Sequence, residues 1–144
     1  MLSTENKLLL ESVYQTARTG MDAARLVIGK VDNPALTADL ESQYKSYHTI
    51  AAEAGTKLAK REAIAKEPGN ITRLLTWGNI QLNTLTDHSS PHVAGVMMAG
   101  STQGIKETAK QLKDNESAGP EAKGLCQKLI TQEQDNIERM KKYL

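Results

Sequence analysis

The chain has no Phe, one Trp, one Cys and four Pro among its 144 residues. A lone Cys excludes an internal disulfide framework and any zinc or iron–sulfur site built on several thiolates of one chain. Clusters of β-branched and aromatic residues that would announce a sheet are missing. An excess of one charge is missing too: 18 Lys and Arg against 17 Asp and Glu leave a formal +1. That balance argues against nucleic acid as a partner and against strong attraction to an acidic membrane. No apolar run reaches membrane-spanning length, and the longest, Val93 to Ala99, falls far short. The opening MLSTENKLLLES has an early Glu and no basic start, apolar h-region or small-residue cleavage site, so a cytoplasmic location is expected. Nucleophile-elbow, phosphate-loop, HExxH and CxxC motifs are absent from the sequence, which favours a protein that is not an enzyme.

What is abundant is Leu, Ala, Met, Lys, Gln and Glu, the good helix formers, and the class is all-α. The length fits one domain over 1–144 with a real core. A first helix starts after Ser3 or Thr4, either able to cap free N–H groups, and carries Leu9, Val13, Thr16, Gly20, Ala24 and Val27 on one face. Asp32-Asn33-Pro34 ends it and opens the second, with Asn33 as cap and Pro34 in the first turn. The second helix is expected to run to about Lys66, its inner face holding Leu36, Leu40, Tyr44, Tyr47, Ala51, Ala54 and Leu58, before a break at Glu67-Pro68-Gly69-Asn70.

Apolar phase then persists from Ile71 past Pro91 to Gly100. Two readings of Ser90-Pro91 are open: a cap and first turn that split the segment, or one long third helix kinked at Pro91 at a cost of about 3 kcal/mol. The continuous phase favours the kinked helix, about 42 residues and ~63 Å long. A loop of turn formers, Asp114 to Pro120, leads to the last helix, whose inner stripe is Cys126, Leu129, Ile130, Glu133, Asn136, Ile137 and Met140. Four such helices predict an antiparallel up-down-up-down four-helix bundle. A long third helix would leave one end thin enough to be covered by a partner, so a homo-oligomer or a protein partner is expected.

Two groups of residues invite chemistry. Folding the chain at its turns brings His48 level with His88, and His88 and His92 are four apart on one helix. Three converging imidazoles would suit Zn²⁺, Fe²⁺ or Cu²⁺. Boundary histidines more commonly bond a neighbouring side chain or carbonyl, and paired His without a carboxylate is a weak motif. The sharper anomaly is Glu133. A carboxylate in the middle of an apolar stripe needs a cation, a hydrogen-bond network or a proton. Tyr44 or Tyr47, Ser or Thr of the third helix, and Arg18 or Arg25 are its candidate partners, with Asn136 beside it. A polar core of Tyr44, Tyr47 and Asn136 that fixes helix register is the ordinary explanation. The small residues Gly95, Ala99, Gly100, Ser101 and Gly104 permit close helix approach, and Cys126 reads as an inert buried thiol.

The stretches TARTGMDA (16–23), WGNIQLNTLTDHSSPHVAGVMMAGSTQGI (77–105) and EQDNIERMKKYL (133–144) resemble a family of short uncharacterised proteins from anaerobic Gram-positive bacteria, of the ferritin-like four-helix class. The resemblance implies a di-metal precedent, in which two helices each give a Glu and two give Glu-x-x-His. Here Glu41-Ser42-Gln43-Tyr44 and Glu133-Gln134-Asp135-Asn136 match that spacing, with Tyr44 and Asn136 where His is wanted. The ligand set is incomplete. A binding or self-associating module with no cofactor is therefore expected. The alternative is a degenerate Fe, Mn or Zn site on His48, His88, His92, Glu41 and Glu133.

Overall fold

The computed structural model describes residues 3–60, 76–77, 80–82 and 85–144. Four long helices make the fold: α1 (Thr4–Ile28), α2 (Pro34–Lys60), α3 (Ser90–Asp114) and α4 (Pro120–Met140), followed by a 3-10 turn at Lys141–Tyr143. Two short strands, β1 (Thr76–Trp77) and β2 (Ile80–Gln81), pair antiparallel with Trp77 opposite Ile80.

The helix boundaries follow from side-chain chemistry. Ser3 accepts a hydrogen bond from the Asn6 amide at 3.1 Å and caps α1, with Glu5 in the favourable first turn. Asn33 caps α2 by accepting from the Ala35 and Leu36 amides at 2.9 and 3.2 Å. Its side-chain amide also donates to the Ser90 hydroxyl at 3.2 Å, which ties the start of α2 to the start of α3. Pro120 lies in the first turn of α4, where a missing N–H costs nothing.

The third helix corrects the sequence reading. It does not run through Pro91 but starts there, with Ser89 as its N-cap and Pro91 in its first turn. The proline has no amide to give to an upstream carbonyl, and its ring would clash with the carbonyl four residues before it. Asp87 reinforces the break by accepting from the Ser89 amide at 3.0 Å, and this bond holds its carboxyl below the ordinary 3.8. The expected break at Glu67–Asn70 and the end of the second helix near Lys66 lie outside the described residues.

Helix directions can be read from contacts at the two ends. At one end the α2 start meets the α3 start through Asn33 and Ser90, and Asp39 accepts from the Tyr143 hydroxyl at 2.5 Å. At the other, the Gly119 amide donates to Asn6 at 2.6 Å and Lys57 pairs with Glu121 at 3.6 Å. So α1 and α4 run one way, and α2 and α3 run the other. The expected up-down-up-down order is corrected accordingly: α2 ends at one end of the bundle and α3 begins at the opposite one. The closest pairings are α1 with α2 and α3 with α4, and α1 and α4 each pack on the opposite hairpin as well.

The core fills the centre with Leu9, Val13 and Val27 of α1, Leu36, Leu40 and Leu58 of α2, Val93 and Met97 of α3, and Leu129 and Met140 of α4, all sealed from solvent. Each such side chain contributes about 1.5–3 kcal/mol through burial. Leu82 and Leu85 are buried as well, from the segment before α3.

Candidate functional site

One layer of this apolar core is polar. Glu133 is fully buried on the inner stripe of α4. Tyr47 of α2, also fully buried, donates its hydroxyl to Glu133 Oε1. Asn136, one turn further along α4, donates from Nδ2 to the same hydroxyl at 3.2 Å. On the α3 side stand Ser101 and Gly104. Ser101 Oγ and Glu133 Oε2 are sealed from water, and neither forms a well-made hydrogen bond among the described residues.

Glycines let the layer close. A Cβ on Gly104 would fall inside the van der Waals envelope of Glu133 Oε2, so α3 presses its bare backbone against the carboxylate. A Cβ on Gly20 of α1 would sit 2.6 Å from the Tyr47 ring. Here the small-residue positions of the sequence serve close approach to a buried acid.

Electrostatics follow from this enclosure. Burial is the largest influence on Glu133 and pushes its carboxyl from the ordinary 4.5 to about 7. The Tyr47 hydroxyl, with Ser101 and Asn136, pulls the other way but does not win. Burial and the neighbouring Glu133 charge push the Tyr47 phenol well above 10, so it remains a donor at physiological pH.

Beside the layer, α2 and α4 leave a surface groove of about 360 Å³. Gln43 and Asn136 lie at its floor, and Ser46, Thr49, Thr131 and Asp135 are among the residues along its walls. Gln43 is 2 % exposed, and its amide nitrogen and oxygen are both sealed from solvent and lack hydrogen-bond partners among the described residues. A buried amide with nothing to bond costs roughly 1–3 kcal/mol, so this position is one the fold does not satisfy from within.

The residues singled out from the sequence separate into two sets. Tyr47, Asn136 and Glu133 come together, and of the proposed partners for Glu133 it is Tyr47 that bonds it. Tyr44 is half-buried at the edge of the core. The histidines do not gather. His48 is exposed near the middle of α2. His88 is exposed before α3 and bonds the Leu85 carbonyl at 2.8 Å, and His92 lies 3.9 Å from Asp87. The starts of α2 and α3 are side by side, so His48 stands about 18 Å further along the bundle axis than His92 at 1.5 Å per residue. Folding the chain at its turns levels His48 with His88 only if the third helix is antiparallel to the second, whereas the two run parallel. Glu41 is exposed on α2. Among the described residues, no group of three His, Cys, Asp or Glu could hold a metal ion. Glu133 Oε2 abuts the α3 backbone, with Ser101 rather than a second carboxylate or imidazole nearby. The layer does not fit a ferritin-type di-metal centre.

Gln43 was not singled out from the sequence, although its signal was there. It continues the spacing Leu36, Leu40, Gln43, Tyr47 along the buried face of α2.

No protein-family model matches the chain, and no curated protein matches it either. Solved structures do share its fold. A DUF305 fragment from Deinococcus radiodurans superimposes with a TM-score of 0.76 at 14% identity, covering 98% of this chain and 95% of that one. A conserved hypothetical protein from Mycobacterium tuberculosis gives 0.76 at 10% identity over the whole of both chains. CopM in its Cu(II)-bound form gives 0.72 at 14% identity, covering 99% of this chain and 97% of that one. Among the described residues, no helix is long and apolar enough to cross a membrane.

Proposed function

We propose that this chain is a ferritin-like four-helix module that binds a ligand or another protein chain, itself included, without chemically transforming it. The topology supports the class, because parallel α2 and α3 require a single crossover between two hairpins, the arrangement of ferritin-like bundles. The observation that carries the function is the α2–α4 groove of about 360 Å³, lined by Gln43, Asn136 and the polar side chains of Ser46, Thr49, Thr131 and Asp135. The groups best suited to catalysis are committed elsewhere: Glu133 and Tyr47 bond each other in the closed core, and burial pushes the Cys126 thiol up to about 11. A cytoplasmic setting with a protein partner accords with the near-neutral charge.

Sedimentation over a wide concentration range, with hydrogen exchange across α2 and α4, tests this reading. Self-association or ligand-dependent protection on that face supports it. A monomer with unchanged exchange in the presence of every small molecule and of cell lysate would refute it.

Metal binding is the second reading, favoured by the neighbour solved in a Cu(II)-bound form. Its ligands would have to lie outside the polar layer. Elemental analysis of tag-free protein reconstituted with Cu, Fe, Mn and Zn decides it, a stoichiometric ion supporting the reading and an empty protein removing it.

A further inference from the structure

We propose that the seam between α3 and α4 at Glu133 is a proton-controlled opening. It stays shut over the neutral acid and parts locally, with the four helices still folded, when the acid ionises. The inference concerns motion within the bundle and does not depend on what the chain binds.

The two oxygens of Glu133 are placed unequally. Oε1 accepts from the Tyr47 hydroxyl, which in turn accepts from Asn136 Nδ2 at 3.2 Å. Oε2 faces α3, where it meets the bare backbone at Gly104 and has no hydrogen-bond partner among the described residues. The acid proton therefore belongs on Oε2, beside the Ser101 hydroxyl, which can accept it. Without that proton Oε2 carries charge in a place sealed from water, and such a charge needs a cation or several donors. The groups that bear on Glu133 are Tyr47 of α2, Ser101 of α3 and Asn136 of α4, while α1 brings Gly20 against the Tyr47 ring. All are uncharged at neutral pH, since the Tyr47 phenol is held well above 10.

The face of α3 that covers the acid is also the part of the core least opposed to water. Ser101, Gly104 and Thr108 follow one another at helical spacing on the buried stripe of α3. Ser101 Oγ and Thr108 Oγ1 are both sealed from solvent and lack hydrogen-bond partners among the described residues. Water admitted over these two turns would solvate Oε2, take up its proton and satisfy both hydroxyls, and little apolar area would be exposed in exchange. Val93 and Met97, nearer the start of α3, stay anchored in the apolar core and confine the parting to the second half of the helix. Because α3 packs chiefly on α4, and α1 on α2, the α1–α2 hairpin can hold while the seam moves. The direction follows from the carboxyl, which lies at about 7 in the closed seam and returns toward 4.5 when water reaches it. Opening is therefore rarest at acid pH and grows as pH rises through 7, by up to about 70-fold between pH 5 and pH 8.

Thr108→Cys in a Cys126→Ala background puts a thiol on the seam without removing a partner of Glu133. Val13→Cys in the same background is the control, in the core of α1. Labelling by dithiodipyridine, divided by the rate for the urea-unfolded chain at the same pH, reads how often each position opens. At pH 8 the thiol at position 108 should label about tenfold or more faster than the one at position 13, with little dependence on added urea. Its normalised rate should fall by up to about 70-fold at pH 5, and adding Glu133→Gln should remove that pH dependence. Labelling at 108 no faster than at 13 would overturn the proposal, because global unfolding would then be what exposes the seam. Labelling that does not change with pH, or that changes equally in the Glu133→Gln background, would overturn it as well. On the unaltered chain, carbon-13 NMR follows the Glu133 carboxyl directly: a midpoint near 7 supports the proposal, and an acid already ionised at pH 5 refutes it.

Discussion

Replacing Glu133 by Gln isolates the energetic effect of the buried acid. In the folded chain burial holds the carboxyl at about 7, against an ordinary value of 4.5. Below about 4.5 the acid is protonated in both folded and unfolded states, and it carries no ionisation penalty. As pH rises from there, the unfolded chain releases its proton first and the folded chain retains it. Stability therefore falls with rising pH, at up to about 1.4 kcal/mol per unit. Above about 7 both states are ionised, and the accumulated penalty levels off at about 3 kcal/mol. Gln keeps the shape and does not titrate. Its carbonyl can accept from Tyr47, and its NH₂ takes the place of Oε2 beside Ser101. Glu133→Gln should match the wild type near pH 4.5 and exceed it by up to about 3 kcal/mol at pH 8. Denaturant unfolding of both proteins at several pH values between these limits measures the difference directly. Subtracting the two curves removes every other titrating group common to both. Asp39 acts in the opposite sense and at lower pH: burial raises its carboxyl, but the bonds from Tyr143 and Lys142 outweigh this and hold it below 3.8. Parallel curves with no pH-dependent gap would refute the buried-acid argument.

Tyr47→Phe removes the hydroxyl that supports the carboxylate; it should cost about 1–3 kcal/mol and cost more at pH 8 than at pH 5, because the ionised form loses more than the neutral one. Gly104→Ala should destabilise by about 1–3 kcal/mol through overpacking, and a double-mutant cycle with Glu133→Ala should recover much of that loss, since the added methyl then meets a cavity. If the two effects simply add, the close approach of α3 to the carboxylate is not where the structure places it. Asn33→Ala removes both the α2 cap and the bond to Ser90; a loss of about 1–2 kcal/mol in chemical unfolding is expected. Cys126 should resist thiol reagents in the native state and react stoichiometrically once unfolded, whereas rapid native labelling would contradict its burial.

The local chemistry of this chain is legible in its sequence. Asn33-Pro34 and Pro120 can only begin helices, because their side chains supply a cap or dispense with an amide. The apolar spacing of α1, α2 and α4 placed Glu133 among buried residues, since a helix repeats every 3.6 residues wherever it lies in a fold. Periodicity misled only at Pro91, where Leu82 and Leu85 kept the helical phase but reach the core from outside α3. Tertiary structure decided everything that depends on which ends meet. Apolar spacing is the same whichever way a helix points, so it could not reveal that α3 runs parallel to α2. That single reversal separates His48 from His92 and brings Gly104 and Ser101 up against Glu133. It also determines that Tyr47, rather than Tyr44 or an arginine, bonds the acid. A sequence encodes the stripe each helix buries, but side chains from different helices meet only at heights the assembled bundle sets.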